Sequence, residues 1–245
     1  MYLDIKYTKE QIAEKKEIIR NRLIETSENI TGGAFKCLSD ADLYIVYSLY
    51  DELFLEHYFR DHFKGKLKLL FSRQLRSSAG ITRCIYNLHK TNPEDYSFEI
   101  KIAVNFLFDY NKTDRDKVVN GYTTKDALEA MLLIFEHEIC HVIEFLYTYK
   151  SSCKKQAFKT MANELFGHTD VYHGLPTKRE IISIEYGIKA GQKVNFNYNG
   201  KTKHGFVKSI NERATIMVED EKGNYSDKFG NHYTKYYVPI NEIKV

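Results

Sequence analysis

An α+β fold is what this sequence predicts: a helical region with a small antiparallel sheet, then a shorter all-β C-terminal region. Three observations predict it. Hydrophobic residues recur with helical period over most of the chain up to about residue 187; three short alternating stretches interrupt them between residues 67 and 104; from about Ile188 the period is two to the end. A chain of 245 residues has room for one large domain or two smaller ones, and the change of period places the boundary near residue 187.

The bulk composition, 43% hydrophobic and 28% charged, is that of a soluble globular protein. No apolar run is long enough to span a bilayer. The first residues, Met1 to Lys6, lack the basic and apolar regions of a signal peptide, so a cytoplasmic protein is expected. Cys37, Cys84, Cys140 and Cys153 are widely spaced and form no CxxC pair, which argues against a disulfide framework and a separate zinc ribbon and for reduced thiols. The net charge of +3 carries little information about nucleic acid.

The first helix runs from about Thr8 to Ile24, with Thr8 and Gln11 at capping-box spacing and Ile12, Ile19 and Leu23 on one face. Thr31-Gly32-Gly33 breaks the pattern. A second helix starts at Ser39, with Asp42 three residues on, and continues through Leu43, Val46, Tyr50 and Phe54. Then the period changes: Leu67 to Ser72, Ile81 to Tyr86 and Phe98 to Val104 alternate as strands do, and their succession predicts an antiparallel meander. A polar loop, Asn111 to Gly121, follows.

The next helix carries the chemistry. Its start is marked by Thr123 and Asp126, again at capping-box spacing, and Ala127, Ala130, Met131, Ile134, Phe135, Val142, Phe145 and Leu146 bury its middle. That middle reads His137-Glu138-Ile139-Cys140-His141, or HExxH. Residues four apart on a helix lie on one face, so His137 and His141 can grip one metal ion while Glu138 handles a water beside it. A surface helix with two chance histidines is the bland alternative, but a buried helix rarely carries such polar groups without a partner for them. A further helix, about Gln156 to Phe166, ends at Gly167.

The tail alternates through Val194, Phe196 and Tyr198, turns at Asn199-Gly200, and continues in three or four more short strands, which suits a small closed barrel of SH3-like type. From Lys189 to Val245 there are ten basic and six acidic residues, a balance of +4 against −1 for the rest. Aromatic residues are interleaved with the lysines. Such a surface can stack bases and meet phosphates; the plainer expectation is that alternate aromatics fill the barrel core.

Beyond HExxH, the stretches Tyr50-Asp-Glu-Leu-Phe, Phe63-Lys-Gly-Lys-Leu, Phe71 to Arg83 with its Ala79-Gly80, and Glu99-Ile-Lys-Ile-Ala resemble, in order and spacing, the SprT/Spartan family of zinc metalloproteases over about residues 40 to 175. The tail lies outside that pattern. The resemblance implies a helical zincin-type core with a small antiparallel sheet, a Zn²⁺ held by His137 and His141, and Glu138 as general base in peptide hydrolysis. It also implies protein substrates, with DNA as a partner where those proteins are DNA-associated. The alternative is an inactive SprT-like scaffold serving as a DNA- or protein-binding adaptor.

One departure bears on the site. The family supplies a third histidine in an H-G-x-x-F setting; Phe158 matches the Phe, but Lys154 stands where the His belongs and no His occurs between His141 and His168. Cys153 is the nearest replacement, and its neighbours Lys154 and Lys155 favour a thiolate. An ordinary helix-start cysteine is the other reading. His168 and His173 are further candidates for the third ligand, and with Tyr172 they are candidates for contacting substrate or the transition state.

Overall fold

The computed structural model describes residues 3–245. The chain divides into two compact units, residues up to Leu175 and from Pro176 to Val245. The boundary lies ahead of the expected residue 187. A short helix, Lys178–Tyr186, belongs to the second unit because its Ile182 and the following Ile188 are buried with Val194, Val207, Ile216 and Val238.

In the first unit, helix α1 (Lys9–Thr26) starts at the expected Thr8/Gln11 capping box, and α2 (Asp40–Leu53) starts at Ser39, whose N–H donates to Asp42. A short α3 (Tyr58–His62) leads into β1 (Lys66–Ser72), β2 (Gly80–Cys84) and β3 (Ser97–Ala103). These strands are not a meander. Their order is β1-β3-β2, with β1 parallel and β2 antiparallel to β3. The last strand takes the centre because its inward residues Phe98, Ile100 and Ile102 are fully buried. By contrast β2, with Thr82 and exposed Arg83, is suited to an edge.

After α4 (Val104–Phe108), the expected polar loop contains a hairpin, β4 (Lys117–Val119) and β5 (Tyr122–Thr124). Its turn is Asn120-Gly121, both left-handed (φ 51° and 89°), as a type I′ turn requires. Thr123 therefore sits in a strand, and the cap of the next helix is Asp126 alone, which accepts the Glu129 N–H. That helix, α5 (Ala127–Thr148), is the hub of the unit and is buried along most of its length. Left-handed Tyr149 ends it and turns the chain back. Helix α6 (Gln156–Phe166) stops at left-handed Gly167, as the sequence predicts.

In the second unit the short helix is α7 (Lys178–Tyr186). Strands β6 (Lys193–Tyr198), β7 (Lys201–Ile210), β8 (Arg213–Glu219), β9 (Tyr225–Ser226) and β10 (His232–Pro239) form one antiparallel sheet in the order β6-β7-β8-β10-β9. Asn195 on β6 exchanges two backbone hydrogen bonds with Lys244, so the C-terminal segment pairs with the sheet's first strand. Of the tail's aromatics, Phe196 and Tyr236 join the core, but Tyr198, Tyr225, Phe229 and Tyr237 are exposed. Tyr233 is buried as well, against Phe206, so the expectation that they fill the interior holds for part of the set. No described helix is long and apolar enough to cross a membrane.

Candidate metal centre

Helix α5 places His137 and His141 one turn apart with their Nε2 atoms 3.2 Å from each other. The loop after α5 returns Cys153 to the same point: one ligand atom from each of the three lies within 4.8 Å of the others. Phe158 of α6 packs against both imidazoles, its ring centroid 5.1 Å from His137 and 4.5 Å from His141.

The donor set fits Zn²⁺. Bond lengths of about 2.0–2.1 Å to nitrogen and about 2.3 Å to sulfur in a tetrahedron put two nitrogens ~3.4 Å apart, close to the separation seen, and nitrogen and sulfur ~3.6 Å apart, so the thiol needs to close by roughly 1.2 Å at most. Two imidazoles and a thiolate leave a fourth position for water or substrate, as catalytic zinc sites require. Burial, helped by the neighbouring imidazoles, pushes the His137 pKa down to about 3, and burial pushes His141 down to about 4. Both rings are therefore neutral near pH 7, the form that binds metal. The Cys153 thiol is pushed up, not down: burial outweighs the nearby Lys154, contrary to the thiolate-favouring role expected of the lysines.

Glu138 lies against the sheet edge. Thr82 of β2 donates its hydroxyl to Glu138 Oε2 (2.7 Å) and also stands 2.9 Å from the Glu138 carbonyl oxygen. Oε1 faces Gly80, where an added Cβ would come within 2.5 Å of it. The carboxylate is 5% exposed, and burial raises its pKa to about 7 against the opposing pull of Thr82.

The other candidates stand outside this ligand group, although His168 and His173 are close enough to His137 to help depress its pKa. His168 is buried with its Nε2 2.7 Å from Glu136, which also accepts from Tyr50 Oη (2.7 Å) and Lys16 Nζ (2.9 Å). His173 pairs with Val119 as a backbone bridge and sets its ring against Phe106. Tyr172 is 68% exposed, and its carbonyl accepts the Asn120 N–H. Cys153 alone of the proposed third ligands joins the histidine pair.

Several site residues escaped the sequence reading. Thr82 shows in the sequence only as part of a strand, and Gly80 only as part of the stretch that carries the family resemblance. Ser151, whose Oγ lies 2.6 Å from His141 Nδ1, stood in an unremarked polar loop. Glu144, three residues past His141 and therefore on the same helix face, was the available signal for a support to that ligand. Comparison of the chain with family models, curated proteins and solved structures gave no match.

Proposed function

We propose that the chain is a zinc-dependent metallopeptidase of SprT-like type with an SH3-like C-terminal module, its Zn²⁺ held by His137, His141 and Cys153. One observation carries the reading. Two facing imidazole nitrogens, a thiol and a buried carboxylate anchored to a strand converge on one stretch of α5. A Zn²⁺ bound there acidifies water and polarises a carbonyl. The rest falls to the chain. Glu138 takes the proton of the attacking water and returns it to the leaving amine. Thr82 holds Oε2, which leaves Oε1 to meet the water. Strand β2 pairs only with β3 within its sheet, so its other edge can receive an extended peptide beside Glu138. The antiparallel order of β6 to β10, with Lys244 paired back to β6, supports the SH3-like reading of the tail. A thiolate ligand is suited to the reducing cytoplasm.

The test is metal content and hydrolysis together. Elemental mass spectrometry of purified protein is expected to find about one Zn per chain. Glu138→Gln is expected to keep that metal and lose proteolysis; equal proteolysis by the variant and wild type would sink the mechanism.

DNA-associated proteins are a fitting substrate class, and the tail supports it. Tyr225 and Tyr237 are exposed, with Lys235 Nζ 4.3 Å from the first ring centroid and 5.2 Å from the second. Tyr225→Ala with Tyr237→Ala is expected to weaken binding of a single-stranded oligonucleotide at least tenfold, since each stacked base is worth about 1–3 kcal/mol. Unchanged affinity removes this surface from the proposal. A wild-type protein that binds the oligonucleotide yet holds no Zn²⁺ and cleaves nothing is the adaptor of the alternative reading.

A further inference from the structure

Glu144 is a third buried carboxylate on α5, 3% exposed, and the hydrogen bonds its carboxylate accepts lead toward the metal ligands. Ser151 donates its hydroxyl to Glu144 Oε2 at 2.6 Å, and the backbone N–H of Ser152 donates to the same oxygen at 2.8 Å. Ser151 Oγ lies 2.6 Å from His141 Nδ1.

The proton count settles the direction of this chain. A serine hydroxyl has one hydrogen, and the Ser152 N–H that Glu144 Oε2 also receives marks that oxygen as an acceptor. The Ser151 hydrogen is therefore given to Glu144, and Ser151 Oγ meets His141 as an acceptor. His141 Nδ1 then carries the ring hydrogen, which leaves Nε2 as a bare lone pair aimed at the point shared with His137. The same carboxylate oxygen pins Ser152, the residue before Cys153. His137 has no such support: its Nδ1 is buried without a partner.

We propose that Glu144, acting through Ser151, is a positioning residue that couples two metal ligands, fixing the tautomer of His141 and the loop that presents Cys153. The inference rests on the metal-site reading above. Without the tie, the Thr148–Lys150 and Lys155–Ser152 hydrogen bonds still hold the loop between Tyr149 and Gln156, but nothing ties it to His141, which divides between two tautomers. Partners of this kind are typically worth about 10- to 100-fold in metal affinity.

The test uses the full chain with Ser151→Ala, Ser151→Thr and Glu144→Gln. Zn²⁺ affinity is measured by competition with a chromophoric chelator. The His141 tautomer is read by nitrogen NMR on metal-free protein, and thiolate ligation by the sulfur-to-metal charge-transfer absorption with Co²⁺ as probe. Ser151→Ala is expected to lose about 10- to 100-fold in Zn²⁺ affinity, to mix the tautomers and to weaken the Co²⁺–thiolate absorption, with Ser151→Thr restoring all three. Glu144→Gln keeps an acceptor without the charge and is expected to fall between. Ser151→Ala with wild-type affinity, tautomer and absorption overturns the coupling. A wild-type chain that binds neither Zn²⁺ nor Co²⁺ overturns the metal site itself; the NMR reading, which needs no metal, still decides whether Ser151 orders the His141 proton.

Discussion

Gly80→Ala isolates the placement of Glu138 from every other property of the site. The alanine Cβ would stand 2.5 Å from Oε1, 2.7 Å from Cγ and 2.8 Å from Cδ of Glu138, whereas an ordinary contact begins at 3.4 Å. The shortfall at Oε1 is about 0.9 Å, and either the carboxylate or the β2 edge must give that distance. Gly80 does not have the left-handed backbone that a side chain resists, so the alanine meets no conformational barrier. Overpacking costs about 1–3 kcal/mol, of which the reduced freedom of the unfolded chain offsets about 0.4–1 kcal/mol. The protein therefore folds. A displacement of about 1 Å at a catalytic group is worth up to roughly a hundredfold in rate, or ~2.7 kcal/mol of barrier. The three nearest atoms to the added methyl all belong to Glu138, so Zn²⁺ affinity is expected to stay near the wild-type value. The assay pairs turnover of a quenched fluorescent protein substrate with chelator competition for the metal. Wild-type kcat/KM in Gly80→Ala refutes the claim that the Gly80 cleft seats a working Glu138. Loss of Zn²⁺ in parallel with activity refutes the claim that this cleft serves the carboxylate alone.

Cys153→Ala leaves two imidazoles, which hold Zn²⁺ far more weakly than three ligands do; a drop in bound metal below about a tenth of wild type, measured after dialysis, is expected, and full retention would return His168 or His173 to consideration. Peroxide is expected to oxidise the Cys153 thiolate, release the metal and do so reversibly with a dithiol, followed by a zinc-sensitive dye. Lys16→Met removes one partner of fully buried Glu136; breaking such a pair costs about 3–5 kcal/mol, and because Tyr50 and His168 still hold the carboxylate about 2–3 kcal/mol is expected by urea titration, with a loss below about 0.5 kcal/mol counting against a structural role.

What the sequence made legible follows from the strength of local signals. Thr8 with Gln11 and Ser39 with Asp42 satisfy helix-end donors within three residues, so both helix starts were readable. His137, Glu138 and His141 needed only helical spacing. The β4–β5 hairpin was hidden because three-residue strands are too short to show a period, although Asn120-Gly121 marked its turn. The order β1-β3-β2 was hidden for a different reason: strand adjacency is decided by competition for burial, and Phe98, Ile100 and Ile102 outcompete β2 for the centre. His168 misled because it is buried and polar like a ligand, yet its partner Glu136 lies on another face of the same helix. The Lys16 that neutralises Glu136 is 120 residues away in sequence, beyond any local pattern.

The three buried carboxylates of α5 differ in how fully the fold replaces their water, in a way that fits the proposed role of Glu138. Burying a carboxylate costs several kcal/mol unless hydrogen bonds or charges replace its water. Glu136 has a lysine, a tyrosine and a histidine; Glu144 has a serine hydroxyl and a backbone N–H. Glu138 has the Thr82 hydroxyl, which serves one oxygen and is shared with a backbone carbonyl, while the other oxygen faces the gap left by Gly80. A fold that satisfies its neighbours on the same helix and leaves this one short retains a destabilised group where the proposed hydrolysis needs a proton taken up and given back. The shortage is local to the turn that holds His137 and His141, which ties the cost in stability to the candidate metal centre rather than to the core around it.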